Sequence, residues 1–532
     1  MMREAVYLKQ NVLAEPLVNQ WYAWSYLIAP ATAAMYIANL QLKVMQSFVA
    51  APQVHVAALK NPAMMGGPFI NYAAGRAKDV RALMERTAKE QAHMVKFAEG
   101  VKTLNHTLAS GAGGYSLEQL YREVPDILRG YVELVYDLND HPSVRFIEGL
   151  LYRSPFYDVS TQSMALSLVE NDSRPFVFST PRFPGDGVLH LRIPFGHRGL
   201  DELFKMESEP QPLDAVRTLL GVKEEEAELF STFFTRERPP QSPGFAGPGV
   251  RVRYFGHACV LVESEDVNVL CDPVISYRLD EGIDRYTFAD LPERIDYVLI
   301  THNHQDHCMF ETLLRLRHKI GTVLVPKNSG GALADPSLKL VLQHLGFRRV
   351  QEIDEMETVE IDGGSITGLP FFGEHADLNV RTKLAYFIKL KGRSVLCVAD
   401  SNNLEPRLYE HVRELVEGLD VLFIGMECDG GPMSWLFGPL FTRPIAGAMD
   451  RSRRLDGSDF DKGINMVDQL GPAHVYVYAM GQEPWLTYLT SIRYTETSRP
   501  IVESDRLVAE CRRRGIVAER LFGRDEMFLE PR

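Results

Sequence analysis

The cluster His302-Asn303-His304-Gln305-Asp306-His307 closes an apolar run, Tyr297-Val298-Leu299-Ile300, and no other feature restricts the fold as tightly. A short apolar run bounded by polar residues reads as a buried strand. Four metal-competent side chains then converge at one strand end. Alternation along extended chain puts His302 and His304 on one side, and the turn that follows can swing Asp306 and His307 towards a second ion. The H-x-H-x-D-H spacing therefore suits two metals on the rim of a sheet. Further ligands must come to that rim from other strand ends.

Two later places qualify. Asp400, in Cys397-Val398-Ala399-Asp400-Ser401, ends an apolar strand, and a carboxylate there can bridge two cations about 3.5 to 4 Å apart. The competing reading is an Asp that opens an Asx-turn. The second place is Phe371-Phe372-Gly373-Glu374-His375-Ala376-Asp377, which offers the adjacent pair Glu374 and His375. Cys308 follows the cluster directly, although a thiolate would soften a site of nitrogen and oxygen donors.

At 532 residues, 45% of them hydrophobic and 24% charged, the chain is too long for one core, so two domains are expected. Proline and glycine across 239–249 forbid regular structure and mark a linker. This gives a mixed α/β N-terminal domain (1–238), the linker (239–249) and a catalytic domain (250–532). The N-terminal half is expected to start helix-rich, with helical spacing across 79–102 and a capping box at Ser116-x-x-Gln119. Phe176-Val177-Phe178 and residues 188–193 read as short strands. Beyond the linker, strand-like runs at 252–263, 267–271, 297–301, 322–326, 384–390, 394–399, 421–425 and 475–478 fit two stacked sheets flanked by helices.

A formal net charge of −13 argues against nucleic acid or an anionic membrane as partner. The start Met1-Met2-Arg3-Glu4-Ala5-Val6-Tyr7 lacks a secretory pattern, so a cytoplasmic location is expected. Residues 24–42 are apolar, but Pro30, Thr32, Asn39 and Gln41 interrupt them, which suits a buried helix or helix pair. The six cysteines show no C-x-x-C spacing and read as reduced thiols.

Together, Gly256-His257-Ala258 in a first strand, Cys271-Asp272-Pro273 at a second strand end, the histidine cluster and Asp400 resemble the metallo-β-lactamase fold over about residues 250–490. That resemblance implies an α/β chain with a C-terminal αβ/βα sandwich. It implies His302 and His304 on one metal, Asp306 and His307 on the other, and Asp400 on both. His257 and Asp272 would orient these ligands. The hydrolases of that fold place a histidine where this chain has Glu374-His375. They place another after the last core strand, where this chain reads Tyr478-Ala479-Met480-Gly481-Gln482, with Met480 at the expected position. His474, at the opposite end of that strand, reads as structural.

The N-terminal half narrows the resemblance. Asn19-Gln20-Trp21-Tyr22-Ala23-Trp24, Ala51-Pro52-Gln53-Val54-His55, Asn61-Pro62-Ala63-Met64 and Gly67-Pro68-Phe69-Ile70-Asn71-Tyr72 resemble the N-terminal domain of the di-iron aminoacyl β-hydroxylases of nonribosomal peptide synthesis, the chloramphenicol-pathway type. The resemblance implies Glu374 as a ligand, with His375 the runner-up. It also implies two Fe ions, with Zn the alternative, and O2 and external electrons as co-substrates. The substrate would be an amino acid held as a thioester on the phosphopantetheine arm of a carrier (thiolation) domain of a nonribosomal peptide synthetase, hydroxylated at its β-carbon in antibiotic or related natural-product biosynthesis. An unidentified electron donor and a homodimer complete the expectation, with the N-terminal domain covering the site. No catalytic residue outside the ligands is implied.

Three histidines and three carboxylates form a hard, anionic set that suits ferric iron, whereas zinc has no redox chemistry. A zinc hydrolase of a thioester, lactone or phosphodiester stays open and would use His375. A flavodiiron reductase would carry a glutamate where His304 stands, and a flavodoxin-like domain whose phosphate loop is not seen. Glu427, at another strand end, reads either as a holder of the substrate amine or as a structural carboxylate. Residues 430–447, with Trp435, Phe437 and Phe441, read as the wall of an arm channel or as a packed loop. Arg451, Arg453 and Arg454 suit a phosphate or an acidic carrier surface, or simply a solvated face.

Overall fold

In the computed structural model, which describes residues 5–185, 187–279 and 282–532, the apolar runs beyond residue 250 form two seven-stranded sheets. The first runs Val350–Ile353, Ile320–Pro326, Ile295–Leu299, Asn268–Cys271, Val260–Glu263, Val250–Tyr254, Asp525–Leu529. The second runs Thr358–Ile361, Gly364–Leu369, Ala385–Leu390, Arg393–Cys397, Val421–Gly425, His474–Tyr478, Val517–Arg520. In both sheets the strands that end at the cluster, at Asp400 and at Glu427 pair in parallel, so their carboxyl ends share one rim. Val421–Gly425 is buried along its whole length, which is why it reads as a continuous apolar run.

Val252, Val269, Tyr386, Val395, Phe423 and Tyr478 fill the space between the sheets. Helices Phe310–Leu316 and Leu338–His344 cover the outer face of the first sheet, and Phe460–Leu470 and Arg499–Arg513 that of the second. Helix Phe460–Leu470 starts where the Asp459 side chain accepts from Lys462 N, and ends at left-handed Gly471. The expected αβ/βα sandwich is the observed one.

The run read across 252–263 is two strands, Val250–Tyr254 and Val260–Glu263. Gly256-His257-Ala258 therefore lies in the turn between them and not in a strand. Phe255 N donates to Cys259 O, and Gly256 (φ +102°) and His257 (φ 52°) reverse the chain. Glycine adopts that φ without steric cost.

The N-terminal half starts with strands, against expectation. Trp21–Tyr22, Val12–Val18, Gln162–Leu168 and Leu189–Leu191 form one sheet in that order. Glu15 and Pro16 mask the signal of Val12–Val18, yet Glu15 is buried there, 3.0 Å from Arg182 Nε and 2.6 Å from Arg174 Nη2. The helical spacing across 79–102 belongs to two helices, Ala77–Glu90 and Ala92–Gly111, which break at Gln91. Ser116 opens a 3₁₀ stretch, Leu117–Glu123, by accepting from Glu118 N, and not through Gln119. Phe176-Val177-Phe178 forms a turn and no strand. Its Phe178 ring packs edge-on against Trp24 and Trp435, wedging the two halves together.

Residues 24–42 fold as buried short helices, including Ser25–Ile28 and Pro30–Tyr36. No helix among the described residues is long and apolar enough to cross a membrane. Residues 236–249 form neither helix nor strand. Met1-Met2-Arg3-Glu4, on which the secretory reading partly rests, lies outside the described residues.

Candidate metal centre

Five residues other than glycine in the loops around the rim sit in the left-handed region. The φ values are 52° at His257, 40° at Asp272, 63° at Glu374, 46° at Ala399 and 54° at Ala479. Such conformations cost about 1 to 3 kcal/mol each and persist where the surroundings fix them, commonly at functional sites. Here they turn the chain sharply beside the candidate ligands. Ala399 is fixed by two bonds, its N–H to the Tyr478 hydroxyl (2.9 Å) and its carbonyl from Gly425 N (2.9 Å). Gly425 is required there, because a Cβ would lie 2.4 Å from Ala399 O and 2.8 Å from Asp400 Oδ1.

The structure brings the six expected ligands together. Among the described residues, three groups of donor atoms lie close enough to hold an ion: His302, His304 and Glu374; His302, His307 and Asp400; and His257, Asp306 and His307. His304 Nδ1 is 2.8 Å from Glu374 Oε1, and His307 Nε2 is 3.0 Å from Asp400 Oδ2. His302 Nε2 stands 3.8 Å from Glu374 Oε2 and 3.7 Å from Asp400 Oδ2. His302 Nε2, His304 Nε2, His307 Nε2, Glu374 Oε2 and Asp400 Oδ1 are all buried without a hydrogen-bond partner. Buried polar atoms in that state are costly unless something else satisfies them. A pair of cations among three imidazoles and three carboxylates would do so, and the residues present fit that group.

Hydrogen bonds on the far side of three of the rings fix which nitrogen carries the proton. The Asp272 carboxylate can only accept, so His307 Nδ1, 2.8 Å away, donates to it and Nε2 is left bare for a metal. Asp272 also accepts from Thr301 N (2.7 Å) and Thr301 Oγ1 (2.5 Å). The hydroxyl, its proton committed, can accept from His302 Nδ1 at 3.0 Å, which bares His302 Nε2 as well. His257 is opposite in sense. Gly481 N–H donates to its Nδ1 (3.2 Å), so the neutral ring carries its proton on Nε2, facing Asp306 Oδ2 at 3.3 Å. His257 Nε2 thus faces Asp306 while remaining buried without a hydrogen-bond partner, and Glu483 Oε1 accepts from the His257 backbone N–H at 3.0 Å.

Burial and mutual charge shift these groups strongly. Burial holds His302 well below the ordinary imidazole range, helped by the neighbouring histidines. Burial also opposes charge on His304 and His307, but Glu374 lifts the first, and Asp400 and Asp272 lift the second well above it. Burial pushes Glu374 up to about 7, against the pull of His304. Asp306 is held below the usual carboxylate range despite its burial, through the His257 hydrogen bond and His307.

The alternatives separate on position. His375 belongs to none of the three groups, and its Nδ1 lies 3.1 Å from Glu374 Oε2. Met480 is buried in the apolar layer under the outer helices with Ile424, Met466 and Val477, off the cavity. Left-handed Ala479 (φ 54°) breaks the alternation that would have kept Met480 inward with Tyr476 and Tyr478, and the side chain joins Val475 and Val477 in the outer layer. Cys308 is buried in the layer behind the first sheet, and burial raises its thiol far above the ordinary range. Phe437 is buried in the N-terminal core, whereas Trp435 and Arg454 line the cavity. Arg453 instead donates to Ala376 O at 2.8 Å, and Arg451 is exposed. Thr301, Glu483 and Tyr478 were not singled out from sequence for these contacts, which join strands far apart in the chain and leave no local signal.

The cavity over the rim has a volume of about 640 Å³. His257, His304, Asp306, Glu374 and Asp400 floor it, and Trp435, Leu436, Leu455 and Ile492 supply apolar wall. Pro62, Met65 and Gly66 of the N-terminal half close one side, with Trp435 Nε1 donating to Gly66 O at 3.0 Å.

Residues 7–239 match the family described as the diiron non-heme beta-hydroxylase N-terminal domain, and residues 267–450 match the beta-lactamase superfamily domain. The 4-amino-L-phenylalanyl-[CmlP-peptidyl-carrier-protein] 3-hydroxylase of Streptomyces venezuelae is 39% identical over 97% of this chain and 98% of its own. The crystal structure of CmlA, a diiron beta-hydroxylase from Streptomyces venezuelae, matches with a TM-score of 0.93 at 39% identity, covering 99% of this chain and all of that one. A single-residue mutant of CmlA matches with a TM-score of 0.90 at 38% identity, over 98% of this chain and 100% of that chain.

Proposed function

The chain belongs to the diiron non-heme β-hydroxylases, and from that premise we propose that it hydroxylates the β-carbon of an amino acid held as a thioester on a carrier domain of a nonribosomal peptide synthetase. Two irons, when bound, supply the redox chemistry that moves an oxygen atom from O2 onto carbon, with electrons from an external donor. In this reading His302, His304 and Glu374 hold one ion, Asp306 and His307 the other, and Asp400 both. Asp272 and Thr301 fix the tautomers of His307 and His302, and His257 steadies Asp306 through its Nε2 proton. The cavity takes the acyl group and the end of the arm, and its apolar walls with the Pro62 to Gly66 segment keep water from the rim. No side chain is assigned a proton to move.

The observation that carries the reading is that Glu374, and not His375, brings a donor atom into one group with those of His302 and His304. That makes the set half carboxylate, which suits iron in its higher oxidation state. We take 1–238 as cover, 239–249 as linker and 250–532 as catalytic body, in a cytoplasmic homodimer of an antibiotic-type pathway. All six cysteines are buried and unpaired, which suits a reducing compartment, and sedimentation tests the dimer. The function is tested by elemental analysis of the purified full chain with its visible spectrum before and after reduction. Two irons per chain and absorption that bleaches on reduction are expected. Two zincs and a colourless protein that iron cannot replace would refute the reading.

A further inference from the structure

Glu427 lines the same cavity as the metal ligands and belongs to none of the three donor groups. It follows Val421–Gly425, the strand paired in parallel with the one that delivers Asp400. Met426 is buried in the outer apolar layer, so the next side chain faces the cavity. Gly457 lies over both loops, donating to Glu427 O at 2.7 Å, and a Cβ on it would be 3.4 Å from the carbonyls of Asp400 and Glu427. Among the described residues Glu427 has no cationic partner, and its Oε1 accepts from the Tyr494 hydroxyl at 3.2 Å. Burial pushes it up to about 8, and Asp400 adds to the shift while Tyr494 opposes it. The one arginine lining the cavity, Arg454, lies by Asp429 instead, 3.4 Å from its carbonyl and 3.6 Å from its carboxylate.

A partly buried carboxyl without a counter-charge, beside an apolar wall, is a receptor for a cation. The substrate class of the proposed function carries one. Its α-nitrogen lies about 2.5 Å from the β-carbon, so whatever holds the amine must sit next to the metal rim, as Glu427 does. Resting on that reading of the site, we propose that Glu427, held by Tyr494, receives the α-ammonium group of the aminoacyl thioester and so turns the β-carbon towards the metals. The enzyme then acts on a free aminoacyl group, after the reaction that forms the thioester and before the one that consumes the amine in a peptide bond.

The test uses the iron-loaded full chain and a carrier domain charged with amino acids in turn. The acyl group that is hydroxylated is then offered with and without its α-amine, and binding of both carriers is measured on oxidised protein, where no turnover occurs. Removing the amine should weaken binding about ten- to hundredfold, the value of a hydrogen bond to a charged group. Glu427→Gln should weaken the aminoacyl carrier by a similar factor, leave the desamino carrier unchanged and keep two irons per chain. Tyr494→Phe should give a smaller loss of the same selectivity. Equal binding of both carriers by the unsubstituted protein overturns the proposal, as does a Glu427→Gln protein that keeps the preference, loses iron or weakens both carriers alike. If no charged carrier is hydroxylated at all, the reading of the site itself fails and this proposal falls with it.

Discussion

Asp272→Asn tests the tautomer argument without touching any proposed metal ligand. Asn tolerates the left-handed φ of 40° at this position, so the backbone is not disturbed. If the amide oxygen keeps the place of Oδ1, it still accepts from Thr301 N, and the amide NH2 stands where Oδ2 was. Thr301 Oγ1 can rotate to accept from it. His307 Nδ1, 2.8 Å away, must accept as well. The His307 proton then moves to Nε2, the atom facing Asp400 at 3.0 Å, and that nitrogen can no longer bind a metal. With the amide flipped, two buried donors oppose each other at Thr301 N, at about 1 to 3 kcal/mol. Both routes predict a loss of about ten- to hundredfold in affinity for one ion, the usual effect of removing a ligand's orienting partner. That is about 1.4 to 2.8 kcal/mol. Anaerobic ferrous titration followed by absorbance or calorimetry gives the two affinities, and denaturant unfolding of the metal-free protein gives the stability. Two sites of unchanged affinity in Asp272→Asn would refute the reasoning.

His257→Gln should keep two irons per chain by elemental analysis, because the ring nitrogen facing the cavity carries a proton; loss of one ion would make it a ligand. Gly425→Ala should displace Asp400, whose Oδ1 lies 2.8 Å from the new methyl position, and iron content below two per chain would show it. Met480→Ala should cost about 2 to 5 kcal/mol in unfolding experiments and leave iron content unchanged, since the side chain packs under the outer helices. Glu15 supplies the pH dependence. Against the penalty of burial, Arg182 and Arg174 lower it from 4.5 to about 2, so its ion pairs stabilise the fold fully above pH 4.5 and that contribution is lost as pH falls towards 2. The shift corresponds to about 3 kcal/mol. Acid unfolding of Glu15→Gln should be destabilised near neutral pH and flatter across that window.

The rim was legible because it is local. His302 to His307 sit within six residues and Asp400 follows a plain apolar run, whereas the strand before Glu374, Gly364–Leu369, is broken by Gly, Ser and Thr. The sandwich was legible for the same reason, since parallel strands buried on both faces read as unbroken apolar segments. What escaped depends on partners distant in sequence. Val12–Val18 hides behind a buried Glu15 whose charge is met by Arg174 and Arg182. The split of 252–263 turns on the backbone of Gly256 and His257, which β-propensity does not report. The proton placed on His257 Nε2 follows from the Gly481 N–H, a contact across more than two hundred residues.

The central claim is that this site places an oxygen atom from O2 on the β-carbon of a carrier-bound amino acid. Its most direct test supplies the iron-loaded full chain with reductant, isotopically heavy O2 and a panel of aminoacyl carrier domains, and reads the mass of the acyl group by fragmentation. One heavy oxygen atom on the β-carbon, absent when O2 is withheld, is the predicted result. Release of the unmodified amino acid by thioester hydrolysis, independent of O2 and reductant, would contradict the account.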